Sequence, residues 1–262
     1  MNSQIGAAVG RALERPRDPP VTLVFANAPY TAILTNWLSH ARAAGASNIL
    51  IMALDLETLA FAERMQAECV LLPAIASRKD LWLLRIEVFA ALACAGVDFI
   101  HSDADAIWLL SPYDRIVAAG VDLVFSQGTR WPPDIVERWG FVLCCGLFAA
   151  RANAGTAAFF DTVRRRMLVD ADDQAAINRG LHDDAIVWQP GTNGERREWN
   201  GRPFEIFPEI RVGRTAQVSV ALLPHRQFPR LPEVPADAIV CHPVGKEPME
   251  ERLRRLGLWR QS

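Results

Sequence analysis

Two aspartates one residue apart, Asp103 and Asp105, lie in the run from Phe99 to Pro112 with apolar stretches on both sides. In an extended chain residues i and i+2 share a side, so both carboxylates are expected to face one point while Ala104 turns away and leaves room. Two hard oxygen donors that close repel each other unless a cation stands between them. Mn2+ or Mg2+ suits such a pair and in turn bridges phosphate oxygens of a substrate. The flanking apolar runs argue for a sheet edge and against a solvated tail. An Asp-x-Asp phosphohydrolase is the other enzyme that uses such a pair. That chemistry wants the motif near the N-terminus and followed by Gly-Thr or Gly-Val, where Ala106-Ile107 stands here.

The rest of the composition narrows the chemistry. The 262 residues carry 28 basic and 30 acidic side chains, so no bulk electrostatic pull toward nucleic acid or an anionic membrane is expected. Five cysteines, without CxxC or Cys/His zinc spacing, read as reduced core thiols. No stretch has the length and apolarity of a signal peptide or a transmembrane segment, and the expected location is the cytoplasm. Only Lys79 and Lys246 are lysines among the basic residues, which draws attention to Lys246 beside Gly245 and His242. Asp172 and Asp173 open a helical run, where capping accounts for one of them.

Elements that could position these groups follow from periodicity. Residues 1–20 read as a polar, proline-ended leader and a candidate for disorder. Residues 21–26, 48–53, 69–72 and 97–101 read as strands, and the amphipathic segments 30–44, 54–66 and 81–95 as the helices between them. That alternation predicts βαβ units: a Rossmann-like first half with a mixed, mainly parallel sheet and helices on both faces. In such sheets ligands bind beyond the carboxyl ends of the strands, where Asp103 and Asp105 fall. In the second half, 121–126 and 141–150 read as strands around a Trp/Pro-rich loop at 127–140, and 153–168 and 173–181 as helices. Short strands at 185–188, 204–207, 217–223 and 238–241 precede a last helix at 249–256. No linker divides the halves, so residues 21–262 are expected to form one α/β domain.

Over about residues 21–259 the chain resembles nucleotide-diphospho-sugar transferases of the GT-A fold, most closely the domain of glycosyltransferase family 77. The pieces come in the family's order: Asn27 and Tyr30 after the first strand, Asn36-Trp37, Ala53-Leu54-Asp55, Arg85 where a basic residue stands, the Asp103-Ala104-Asp105 motif, and Cys145-Gly146-Leu147. Asp173-Gln174 with Asn178, and His242-Pro243-Val244-Gly245-Lys246, close the series. The resemblance implies a metal-dependent glycosyltransferase (hexosyl- or pentosyl-) moving sugar from a nucleotide diphosphate, UDP above all, to a saccharide or other hydroxyl acceptor with retention. It implies His242 as third ligand to Mn2+ (or Mg2+), and donor contacts from Asn27, Tyr30, Arg85, Asp103, Ala104, Asp105, Gly146, Gly245 and Lys246. Lys246 is expected to oppose the leaving diphosphate, and Asp173 or Gln174 to stabilise the oxocarbenium-like anomeric carbon. Trp131, Trp139 and Asp172 are expected at the acceptor, since sugars stack on indoles. Arg85 and Cys145 depart from the family pattern, which leaves a silent nucleotide-sugar or glycan-binding module as the second reading.

Overall fold

The computed structural model describes residues 2–190, 194–199 and 201–260. In chain order the elements are α1 (Ser3–Leu13), β1 (Val21–Ala26), α2 (Thr31–Ala43), β2 (Ile49–Ala53), α3 (Leu56–Arg64), β3 (Cys69–Leu71), α4 (Arg78–Cys94), β4 (Phe99–Ser102), β5 (Ile107–Trp108), α5 (Tyr113–Ala118) and β6 (Leu123–Gly128). There follow α6 (Pro133–Trp139), β7 (Val142–Ala150), α7 (Ala154–Asp170), α8 (Asp173–Asp183), β8 (Val187–Trp188), β9 (Glu195–Trp199), β10 (Arg202–Ile206), β11 (Arg211–Arg214), β12 (Ser219–Leu222), β13 (Val240–Cys241) and α9 (Met249–Arg255).

Nine strands form the central sheet in the order β3-β2-β1-β4-β7-β6-β12-β11-β8. The pairings β3-β2-β1-β4 and β6-β12 are parallel, while β7 and β11 run against both of their neighbours. Seven of the nine strands therefore point one way, and the sheet is mixed and mainly parallel, as the sequence implies. Side chains alternate across it. Leu23, Leu50, Met52, Phe99 and Phe125 join a core with α1, α4, α7 and α8 on one face. Val24, Ile51, Ile100 and Val124 join α2, α3 and α9 on the other. Strands buried on both faces explain why their sequences are continuous apolar runs.

Three local expectations are corrected. The leader is not a disordered segment through its first half: Ile5, Ala8, Val9 and Ala12, spaced as one helical stripe, are buried in the α4 core, and Asn2 caps the helix through Gln4 N–H at 2.8 Å. The loop at 127–140 carries the short helix α6, started by Pro133 and ended at Gly140, which has φ +81°. The helix before the Asp-x-Asp strand begins at Arg78, because the Ser77 hydroxyl accepts from Asp80 N–H at 3.2 Å.

Candidate active site

Strands β1, β2 and β4 end at one edge, and there Asn27, Asp55 and Asp103 emerge. The Asp-x-Asp segment is a tight turn: Ala106 N–H donates to Asp103 C=O at 3.0 Å, and Asp103 N–H donates to Gly146 C=O at 2.7 Å. This corrects the extended i, i+2 geometry expected above; the turn is what brings the two carboxylates together. Ala104 is buried, with its methyl group in the apolar core under the turn. The turn is held from below by Trp37, whose indole N–H donates to Ser102 Oγ and Ala106 C=O, and by Trp108, which donates to Ser102 Oγ.

The C-terminal histidine arrives by a long-range pairing. β13 runs antiparallel to β5, with Cys241 opposite Ile107, and His242 N–H donates to Pro229 C=O at 3.0 Å. His242 Nε2 then lies 3.3 Å from Asp105 Oδ1. Ligand atoms of Asp103, Asp105 and His242 all fall within 4.8 Å of one another, the spread of a single cation's coordination sphere. Gly146 makes room for them: a Cβ there would stand 2.1 Å from His242 Cε1 and 2.6 Å from Asp103 Oδ2. Carboxylate oxygen with one imidazole nitrogen is a donor set that fits Mn2+ or Mg2+.

Residues 44–249 match the family model of nucleotide-diphospho-sugar transferases. The chain belongs to this family. Among solved structures, an active-site mutant of LgtC is similar with a TM-score of 0.45 at 13% identity, covering 62% of this chain and 70% of that one. The glycosyltransferase GlyE of Streptococcus pneumoniae gives 0.42 at 11% identity, covering 61% of this chain and 43% of that one. No curated protein matches the chain. Among the described residues of the transferase no helix is long and apolar enough to cross a membrane.

Beneath the turn the transferase buries a charge cluster. Arg85, on α4, places Nη1 3.2 Å from Asp103 Oδ1 and Nε 3.2 Å from Asp173 Oδ2, and donates through Nη2 to His101 Nε2 and to Cys145 C=O. Every arm of the guanidinium is engaged inside the protein, so Arg85 positions Asp103 from below and is not free to reach a donor. Burial alone would raise the Asp103 pKa, but Arg85 and His101 outweigh it and hold the carboxyl well below the usual carboxylate range. Burial pushes Asp173 the other way, up to about 6, against the pull of Arg85. Burial beside the same cation pushes His101 down to about 4, neutral near pH 7.

These contacts separate the two residues expected at the anomeric carbon. Asp173 is turned inward and consumed by Arg85 and by Gln174 N–H, 2.8 Å from its Oδ1. Gln174 is the half-buried one: its Oε1 accepts from Cys145 N–H at 3.3 Å and its Nε2 donates to Trp131 C=O. Trp131 is exposed, with its indole N–H donating to Asp172 Oδ1 at 3.0 Å, while Asp172 also caps α8. Trp139 is half-buried, with its ring packed on Phe141 and Trp188 at 5.9 and 5.6 Å against the core.

A cleft of about 350 Å3 opens beside the carboxylates, lined by Asp105, His242, Lys246 and three residues that sequence reading passed over, Arg130, Arg230 and Arg252. Arg252 is buried and donates to the carbonyls of Pro243, Gly245 and Glu247 at 3.1, 2.8 and 2.8 Å. Those three bonds fix the loop that presents Lys246, and a Cβ on Gly245 would sit 2.6 Å from Arg252 Nε. Its signal was faint, one arginine among several on an amphipathic helix. Arg230 packs its guanidinium on His242 Nδ1; Cys144 Sγ lies 3.7 Å from the same nitrogen. Burial and Arg230 oppose charge on His242, yet Asp105 and Cys144 prevail and raise it to about 9. Asn27 and Tyr30 sit at the end of β1, Tyr30 exposed, on the same sheet edge.

The loop that carries Arg230 is braced by His225, whose Nε2 accepts from Arg230 N–H at 3.4 Å. Burial pushes His225 down to about 4 from 6.5, so the unfolded chain takes up the proton first as pH falls. The stability contributed by its neutral ring is complete above pH 6.5 and is lost as pH drops toward 4. The melting temperature is expected to fall across that window, and less steeply in His225→Gln. An unchanged slope in the variant would assign the titration to another group.

Proposed function

We propose that this transferase moves a sugar from a nucleotide diphosphate, with UDP as the nucleotide, to a hydroxyl of a saccharide or other acceptor, with retention and with Mn2+ or Mg2+ as cofactor. The reading follows the resemblance to glycosyltransferase family 77, and one observation carries it: Asp103, Asp105 and His242 converge at the carboxyl edge of the sheet, and Asp105 and His242 line a cleft that also holds Lys246 and Arg230.

Asp103, Asp105 and His242 Nε2 would hold the ion, and the Gly146 cradle leaves space for it. The ion, when bound, supplies a Lewis acid that neutralises the diphosphate. The protein's own groups do the rest. Arg230, whose guanidinium donates to His242 Nδ1, and Cys144 Sγ, 3.7 Å from the same nitrogen, orient the ring with Nε2 toward Asp105. Lys246 and Arg230 place positive charge where the departing diphosphate oxygen becomes negative. Gln174, lying between Cys145 and Trp131, offers its amide dipole to the anomeric carbon on the opposite face, now that Asp173 is committed to Arg85. Exposed Trp131 offers an indole face to an acceptor sugar. Asn27 and Tyr30 supply an amide and a ring for the base.

UDP with Mn2+ is expected to raise the melting temperature by several degrees, since a ligand bound only by the native state stabilises it by RT ln(1 + [L]/Kd). No shift with any nucleoside diphosphate would sink the donor reading; a shift without turnover of any nucleotide sugar would favour the silent binding module. Lys246→Ala is expected to leave Mn2+ affinity unchanged while slowing transfer ~100-fold, because its charge matters most in the transition state. Lys246→Arg should restore part of the rate. Full activity in Lys246→Ala would reduce the loop to a structural role.

A further inference from the structure

A second cavity, of about 460 Å3, lies between α6 and the β9-β10 hairpin. It is within the size range of small-molecule sites. The hairpin is fastened over α6 by a small core of its own, with Phe204, Ile206 and Leu231 buried against Val136, so the cavity has a folded floor. Phe204 and Pro203 line that floor, and three exposed arginines stand around it: Arg130, Arg196 and Arg202. None of the three has a side-chain hydrogen bond, ion pair or ring partner among the described residues. About half of the chain's other arginines are tied to carboxylates among the described residues, as Arg179 is to Asp134 and Asp170, Arg166 to Asp170, and Arg254 to Glu250. Two carboxylates, Glu137 and Glu205, share the lining without pairing to these arginines.

Arg130 lines this cavity and also the cleft of Asp105, His242 and Lys246. The neighbouring Trp131 is the exposed indole bonded to Asp172. The two hollows therefore share Arg130 as a common wall, which places the first beside the transferring centre. We propose that the cavity binds the acceptor, and that the acceptor is an acidic saccharide, one that carries a carboxylate or phosphate group. The proposal rests on the transferase reading above and adds the substrate class. Unpaired guanidinium forks match the planar oxyanion, to which they donate in pairs. The carboxylates of Glu137 and Glu205 accept from sugar hydroxyls. The Phe204 and Pro203 surface packs on the apolar face of a ring. With three cations against two carboxylates the lining keeps an excess positive charge that a neutral acceptor would leave unmatched.

The test compares phenyl glucuronide with phenyl glucoside, which differ only in a carboxylate for a hydroxymethyl group, with phenyl phosphate as a third probe. Binding is measured by calorimetry without nucleotide or metal, on wild type and on Arg196→Gln/Arg202→Gln. Wild type is expected to bind the glucuronide about ten-fold more tightly than the glucoside. The preference should collapse in the double variant, and shrink in about 0.5 M salt. Phenyl phosphate binding above or below the glucuronide then tells a phosphate-bearing from a carboxylate-bearing acceptor. Equal binding of the acid and the neutral probe, binding of none of them, or a preference that survives in the double variant would overturn the proposal. The substituted residues are exposed, and the UDP–Mn2+ thermal shift should be unchanged in the variant. Loss of that shift in wild type would defeat the donor reading instead, so the two failures are distinguishable.

Discussion

Asp105→Asn is expected to lower sugar transfer by about three orders of magnitude, because removing one anionic ligand forfeits several kcal/mol of charge stabilisation at the diphosphate. The change keeps the shape and the hydrogen-bonding oxygen, and Asp105 stands apart from the Arg85 cluster, with His242 Nε2 3.3 Å away. The metal-free protein should therefore melt close to wild type, while the Mn2+-dependent part of the thermal shift disappears. Asp103→Asn is the informative contrast. It removes a ligand and also the counter-ion 3.2 Å from Arg85, so it should cost both activity and stability. Gly146→Ala should mimic the loss in Asp105→Asn with every ligand still present, since the added methyl would meet His242 and Asp103 at under 3 Å. Metal-dependent turnover near wild type in Asp105→Asn would remove this aspartate from the metal site.

The sequence makes part of this site readable, and the reason is range. The βαβ alternation and the place where Asp103 and Asp105 emerge depend on periodicity within one or two elements. His242 depends on β13 finding β5, some 130 residues upstream, and no local pattern encodes that pairing; only the resemblance pointed to it. Arg85 is legible as a residue of α4, but its burial against Asp103 and Asp173 is not. α4 is apolar on most of its surface, with Leu84, Ile86, Val88 and Phe89 all buried, so the pattern could not say that the one arginine among them points inward. Asp173 opens a helix, where capping already explains an acidic residue, so the pattern could not say that its carboxylate turns inward to Arg85. His101 escaped notice, although it stands two residues before Asp103 on the same strand. The α1 stripe of Ile5, Ala8, Val9 and Ala12 was legible, but Gly6, Gly10 and the flanking charges masked it.

Arg85→Met is expected to destabilise the protein by about 3–5 kcal/mol, the range for removing one partner of a buried charge cluster. The energy does not come from the worth of the ion pairs as such. Arg85 is buried, and so are its partners Asp173 and the Cys145 carbonyl, while Asp103 is half-buried. Methionine fills the aliphatic volume but leaves two carboxylates facing each other with no cation between them. Either they take up protons or water must enter. Arg85→Lys keeps the charge on a single ammonium, which cannot span Asp103, Asp173, His101 and Cys145 together, so it should recover only part of the loss. The double variant Arg85→Met/Asp173→Asn separates the causes. With Asp173 no longer ionisable, it should be more stable than Arg85→Met alone even though it carries one more change, a non-additivity that urea denaturation of the four proteins measures directly. Strict additivity would mean that Asp173 already carries its proton beside Arg85, and that the guanidinium serves Asp103 alone; the site's negative charge would then rest on Asp103 and Asp105 without a third carboxylate behind them.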